Sequence, residues 1–197
     1  YNTFGKYDVE FDDIRKLYPR RKRSSYKYSN GKALIIGGSK GLSGAVMMSA
    51  LSAIKSGAGA VLAAFPESIS SHFSRNLYEV IKTELKETAE GTIAADSFYK
   101  LDKQLEKADA VLVGPGLSLN SETKGFLFDL IKNCPKNMVI DADALSLIAD
   151  DPEALLNRQS KGEIILTPHI GEFSRLSKLT ADEVLSDRFG TVRDFAR

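Results

Sequence analysis

The chain holds 197 residues, 43% of them hydrophobic and 27% charged, with a formal net charge of +1; that suffices for the core of one domain and excludes a fibrous or largely disordered chain. No apolar run approaches the roughly 20 residues that a membrane helix requires, and no secretion-type segment leads the sequence. Cys134 is the single cysteine, so no internal disulfide and no thiol-based zinc site can form, which fits a cytoplasmic protein with a buried spectator thiol.

Residues 1–30 are an aromatic and charged lead-in without a clean period, with a short helix expected over Asp12–Leu17 and ended by Pro19. Arg20, Arg21, Lys22, Arg23 and Lys27 form a basic cluster that suits phosphate contact or plain solvation. With no recognition helix or aromatic platform beside it, nucleic acid is not an expected partner. The run Ala33–Ile36 between glycines reads as an interior strand. After the turn Gly37-Gly38-Ser39-Lys40-Gly41-Leu42-Ser43-Gly44, a helix is expected over Gly44–Lys55, with Met47, Leu51 and Ile54 on its inner face. Small residues Ala45, Ser49, Ala50, Ser52 and Ala53 let that helix approach a sheet closely.

A strand over Ala60–Phe65 and a helix over Ser70–Thr83 continue the alternation. Ala110–Val113 is the next strand and runs into Gly114-Pro115-Gly116. Glu122–Asn133 reads as a helix packed through Phe126, Leu127, Leu130 and Ile131. Met138–Ile140 is a strand leading to Asp141-Ala142-Asp143 and a short helix around Leu145, Leu147 and Ile148. Ile164–Leu166 is a further strand, followed by Thr167-Pro168-His169. From Ala181 a helical pattern through Val184, Leu185, Arg188, Val192 and Phe195 reaches Arg197 without a cap, so more sequence is expected beyond it. Short apolar strands separated by helices predict an α/β fold with a mainly parallel sheet and helices on both faces. Functional groups in such a sheet gather just past the strand C-termini.

The turn from Gly37 to Gly44 has glycines that let backbone amides approach a ligand at a helix start, but neither the P-loop nor the dinucleotide spacing. Ser43 is expected to be the helix N-cap and not a nucleophile. Gly114-Pro115-Gly116 serves either a ligand or a sharp turn; its spacing leaves both open. Asp141, at a strand end, can touch a metal-bound phosphate or a substrate hydroxyl, whereas Asp143 reads as a structural cap. His169 can hydrogen-bond a polar ligand or move a proton. His72 reads as a surface residue, and neither histidine pairs with another histidine or a cysteine, so a zinc centre is not expected.

Five stretches carry a wider resemblance: Gly31 to Ala45; Ser56-Gly57-Ala58-Gly59; Asp109 to Leu117; Val139 to Leu145; and Leu166-Thr167-Pro168-His169-Ile170-Gly171-Glu172-Phe173. In this order they resemble the ADP/ATP-dependent NAD(P)H-hydrate dehydratase family, over most of residues 20 to 180. The resemblance implies a ribokinase-like fold, with 31–197 as the N-terminal and central part of that domain and 1–30 as its lead-in. It implies repair of nicotinamide nucleotides: a nucleotide phosphate from ADP or ATP, with Mg2+, activates the hydroxyl of the S form of hydrated NADH or NADPH. Elimination then restores the reduced cofactor. The hydrate is expected at Ala45, Gly116 and His169, and a phosphate or metal region at Gly38, Gly44, Asp141 and Glu172.

The family's Lys-Gly nucleotide segment and the Gly-Ser/Thr-Gly-Asp block with its key aspartate are expected beyond Arg197. No residue here is therefore assigned as catalytic, and the chain alone is expected to be inactive. The resemblance further implies a homo-oligomer and a fused or partner epimerase domain. Three departures stand out: Tyr26-Lys27-Tyr28 replaces His-Lys-Gly, Ser118 replaces the last glycine of Gly-Pro-Gly-Leu-Gly, and Ile170 replaces the proline of His-Pro-Gly-Glu. The alternatives are a small-molecule hydroxyl kinase of the same fold and a non-catalytic nucleotide-binding module.

Overall fold

The computed structural model describes residues 10–18, 23–159 and 162–197; Pro19, Arg20, Arg21 and Lys22 lie outside them. In chain order the elements are α1 (Phe11–Leu17), β1 (Lys32–Ile36), α2 (Gly44–Lys55), β2 (Ala60–Pro66), α3 (Ser70–Asn76) and β3 (Ile81–Leu85). There follow α4 (Asp102–Lys107), β4 (Ala110–Val113), α5 (Ser121–Asn133), β5 (Asn137–Ile140), α6 (Asp143–Ile148) and β6 (Ile164–Leu166), then α7 (Ile170–Ser177), α8 (Ala181–Ser186) and α9 (Arg188–Phe195). Every neighbouring pair in the sheet is parallel, and the order is β3-β2-β1-β4-β5-β6. The chain thus builds outward from β1 in one direction and returns to build from β1 in the other.

Because strand side chains alternate between faces, β1 and β2 feed two cores. Leu34, Ile36, Leu62 and Ala64 join Val111, Val113, Met138 and Ile140 beneath α5 and α6, where Phe126, Leu127, Leu130 and Ile131 are buried as expected. Ile35, Val61, Ala63 and Phe65 face the opposite way onto α2 and α3. There the Phe65 and Phe73 rings stack at 3.9 Å between centroids. On this second face Leu112 and Val139 are half-buried and Ile165 is 59% exposed, so β4 to β6 are less covered than β1 and β2.

Four local expectations need correction. The inner face of α2 is formed by Val46 and Ala50, flanked by Met47, Ala53 and Ile54; Leu51 points outward. Small side chains on this line let the helix sit close to β1 and β2. The helix expected to run to Thr83 stops at Asn76, and Ile81–Leu85 is an edge strand beside β2. Its Lys82 and Glu84 blunt an edge against further pairing and hide the strand pattern. Ser43 holds the N-cap position of α2 but has helical φ and ψ and makes no side-chain cap bond. Finally, the helical pattern from Ala181 breaks at Asp187, whose non-helical backbone and side-chain bond from the Gly190 N–H start α9 afresh.

Candidate functional site

The four polar turns are built from one repeated hydrogen bond. The first residue past each strand donates its N–H to the carbonyl of the neighbouring-strand residue that pairs with its own strand's last residue: Gly37 to Ala64 (3.2 Å), Gly114 to Ile36 (3.1 Å), Asp141 to Val113 (3.0 Å) and Thr167 to Ile140 (3.3 Å). The turns therefore leave the sheet at the same level, along its C-terminal edge. From β1 to β6 they span four strands, roughly 15 Å at ordinary strand spacing. The reversal of strand order falls between β1 and β4, and such a switch point opens a crevice that a ligand can enter.

At the switch point the turns are knitted together. Gly38 N–H donates to the Pro115 carbonyl at 2.9 Å, and the buried Ser39 hydroxyl donates to the Gly116 carbonyl at 3.0 Å. Gly114 has φ 128° and a side chain there would collide with the Asp141 carbonyl; Gly116 has φ 68° and one there would collide with the Leu42 carbonyl. The glycines of Gly114-Pro115-Gly116 are thus required by the packing of one turn on the next. Gly44 differs: a methyl there meets nothing within 4 Å, and its φ is ordinary. A glycine that the fold does not need, at the exposed start of a 12-residue helix, leaves room for a ligand to reach the backbone.

A cleft of about 450 Å³ lies against this crevice, with Ile35 and Leu112 on the sheet side, Ala45, Met48, Ser49, Ser52 and Ala53 along α2, and Pro115, Asp141 and Ala142 on the turns. Ala45 and Asp141 share it, and Gly116 follows Pro115 directly. Ala142 has φ 52°, a left-handed conformation that costs a non-glycine residue about 1–3 kcal/mol, at the point where β5 turns into α6. Asp141 accepts the Thr167 hydroxyl at Oδ1 (2.8 Å), which ties the β5 turn to the β6 turn. His169, two residues further on, is the N-cap of α7 and is not among the residues that line the cleft.

Asp143 is the first residue of α6, not its cap; its Oδ2 accepts the Ser118 N–H at 2.8 Å and braces the β4 turn. Ser43 Oγ lies 2.8 Å from Nδ1 of His72, which is exposed on α3 as expected. Lys40 donates its N–H to the Gly91 carbonyl, so a hairpin closed by the Glu87–Ile93 bridge packs on the first turn. Ser39, Pro115, Ala142 and Thr167 are the residues that sequence reasoning missed, because each acts through a neighbour far away in the chain. A second hollow, about 580 Å³, lies beside β6 among Leu155, Ile164, Phe173, Val184 and Phe195. Thr167, Pro168 and Ile170, which flank His169, line it as well, and Arg158 and Arg188 bring charge to it.

The model of the NAD(P)H-hydrate dehydratase family matches residues 33–197. A curated relative, the bifunctional NAD(P)H-hydrate repair enzyme Nnr of Moorella thermoacetica, is 36% identical over 183 residues, covering 93% of this chain and 34% of the relative. The ADP-dependent (S)-NAD(P)H-hydrate dehydratase of Staphylococcus aureus is 29% identical over 172 residues, covering 86% of this chain and 57% of the relative. Among solved structures, the ADP/ATP-dependent NAD(P)H-hydrate dehydratase of Bacillus subtilis, co-crystallized with ATP/Mg2+, superposes with a TM-score of 0.73 at 26% identity, covering 94% of this chain and 61% of that one. The chain spans about a third of the length of the bifunctional relative and less than two thirds of the other two. Matched by the family model from β1 onward, and carrying its turn motifs along one sheet edge, the chain belongs to the NAD(P)H-hydrate dehydratase family.

Proposed function

We propose that this chain takes part in the ADP- or ATP-dependent dehydration of hydrated NADH or NADPH, restoring the reduced nicotinamide cofactor. The observation that carries the reading is the shared edge: the turns after β1, β4, β5 and β6 leave the sheet at one level, and Ala45, in the first turn of α2, shares a cleft with Asp141. The names of the relatives support the substrate, and the bifunctional name of the Moorella protein supports a second activity, the expected epimerase, working with this one.

In this reading the apolar floor of Ile35, Leu112 and Met48 shelters the hydrated ring from water, and the strand-end turns orient it from Ala45 to His169. Gly38 and Gly44 offer backbone to phosphate, where the start of α2 favours negative charge. Mg2+ bound with the nucleotide would offset phosphate charge during transfer to the hydroxyl. Among the described residues no group of three or more His, Cys, Asp or Glu gathers as a metal cage. Asp141, the carboxylate that lines the cleft, would stand beside an ion carried with the nucleotide.

The test is direct binding. Calorimetric titration of the chain with hydrated NADH is expected to give saturable binding tighter than that of NADH itself. Gly44→Val is expected to leave the denaturation midpoint unchanged and to weaken the hydrate roughly tenfold, equivalent to about 1.4 kcal/mol. Absence of saturable binding, or equal affinity in the variant, would sink the reading. Turnover is read on the full-length protein with ADP or ATP as recovered dihydronicotinamide absorbance; a stable phosphorylated alcohol from another substrate would instead identify a hydroxyl kinase.

A further inference from the structure

One lysine in the turn after β1 is held at two points. Lys40 donates its backbone N–H to the Gly91 carbonyl at 2.9 Å. Gly91 lies in the turn of the hairpin, buried, with φ 75°, and a side chain there would stand 2.5 Å from Cβ, 3.2 Å from Cδ and 3.4 Å from Cγ of Lys40. The lysine stem thus fills the space that a side chain on Gly91 would take, covering the hairpin with its carbons. The hairpin is fixed in its turn. The Gly91 N–H donates to the Thr88 carbonyl at 2.9 Å, and the buried Thr123 of α5 donates its hydroxyl to the Ile93 carbonyl at 2.8 Å and lies 2.9 Å from the Thr92 hydroxyl. Asn120, the N-cap of α5, donates its NH2 to Oε2 of Glu90 at 2.9 Å, so the carboxylate next to Gly91 is turned to α5.

Lys40 is exposed, and among the described residues no ion pair or hydrogen bond engages its ammonium. An ordinary surface lysine keeps the rotamer freedom of its long stem. This one has its stem laid down and its charge left open, between Gly38 and Gly44 on the strand-end turn. We propose that Lys40 binds a phosphate group of the ligand, and that Gly91 is the positioning residue that gives its stem room to lie on the hairpin. The shared chemistry is a phosphate anion met by an ammonium as a point charge. Its source is either the pyrophosphate of the hydrated dinucleotide or the phosphates of ADP. The assignment rests on the proposed function and adds to it a charge outside the glycine backbone.

Two calorimetric titrations of the chain, one with hydrated NADH and one with ADP, separate the sources. Lys40→Gln is expected to keep the denaturation midpoint, to weaken one of the two ligands roughly tenfold, and to flatten the salt dependence of its affinity. The ligand so weakened carries the phosphate. Lys40→Arg, which keeps the charge, is expected to retain both the affinity and the salt dependence. A double-mutant cycle tests Gly91: Gly91→Ala is expected to weaken the same ligand in the wild-type background and to add no further loss to Lys40→Gln. Wild-type binding of hydrated NADH with unchanged affinity for both ligands in Lys40→Gln would overturn the proposal and leave the proposed function standing. A loss in Lys40→Gln with unaltered salt dependence would also overturn it, since lost packing and not lost charge would then be the cause. Equal losses from Gly91→Ala in the two backgrounds would overturn the part given to Gly91. No saturable binding of hydrated NADH by the wild type would remove the proposed function and Lys40 together.

Discussion

Ser118 closes the turn after β4 with φ of 69° while its N–H is held by Asp143 at 2.8 Å. The family pattern has glycine here, and the structure supplies the reason: the position is left-handed, where a side chain costs energy that glycine does not. Ser118→Gly is expected to stabilise the chain by up to about 1 kcal/mol, the strain relieved being partly offset by the freer unfolded chain; a lower denaturation midpoint would refute this. Ile170 is explained similarly. It is the first residue of α7, where an N–H lacks a helical partner in any case, and His169 before it is extended at ψ 169°, the conformation proline demands of its predecessor. Ile170→Pro is accordingly expected to change stability by less than about 1 kcal/mol, against the ~3 kcal/mol of a proline inside a helix. Both departures are local substitutions on an intact backbone frame.

At the scale of elements, chain-end helices are defined by their caps. Thr180 accepts the Glu183 N–H, and Glu183 in return accepts the Thr180 N–H at 2.8 Å and its hydroxyl at 2.7 Å. The backbone bond, then the hydroxyl bond, holds the Glu183 carboxyl below its ordinary value of 4.5. A depressed carboxylate contributes stability that is present above its unfolded value and lost as pH falls through the folded one. Amide exchange in α8 is therefore expected to quicken as pH drops from about 5 to 3, beyond the intrinsic pH trend, and Glu183→Gln to abolish that excess. A wild-type excess that survives in Glu183→Gln would refute the assignment. The periodicity of Val184, Arg188, Val192 and Phe195 concealed the break at Asp187. A single non-helical residue interrupts a helix without disturbing the apolar spacing on either side. β3 was hidden for the opposite reason: it is an edge strand whose charged residues carry no core pattern.

Across the whole molecule, Cys134 reports on the larger core. It follows α5, is fully buried beside Leu130 and Met138, and burial pushes its thiol above the ordinary 9.0 despite a backbone hydrogen bond from Lys136 and the cationic Arg158 and Lys136. A thiol reagent is expected to label Cys134 only as fast as the core opens, with a rate that rises in denaturant in step with global unfolding; fast labelling under native conditions would contradict the packing. Strands β1, β2, β4, β5 and β6 and the turns after them were legible in the sequence, because interior parallel strands must be short, apolar and bounded by turn residues. So were the glycine, aspartate and histidine positions of the site, as residue types that suit turns and polar contacts.

The sequence alone could not decide which turns are neighbours. Strand order is set by how helices cover the two faces: placing β4 beside β1 creates the crevice and brings Ser39 to Gly116, and placing β5 beside β4 packs Gly114 on Asp141. Local pattern determined the elements and their chemistry, since each strand, turn and helix start answers to residues a few positions apart. Tertiary structure decided the site, since a cleft is made by contacts between residues some 25 to 80 positions apart, such as Asp143 with Ser118 and Ser39 with Gly116, and no local periodicity records those distances.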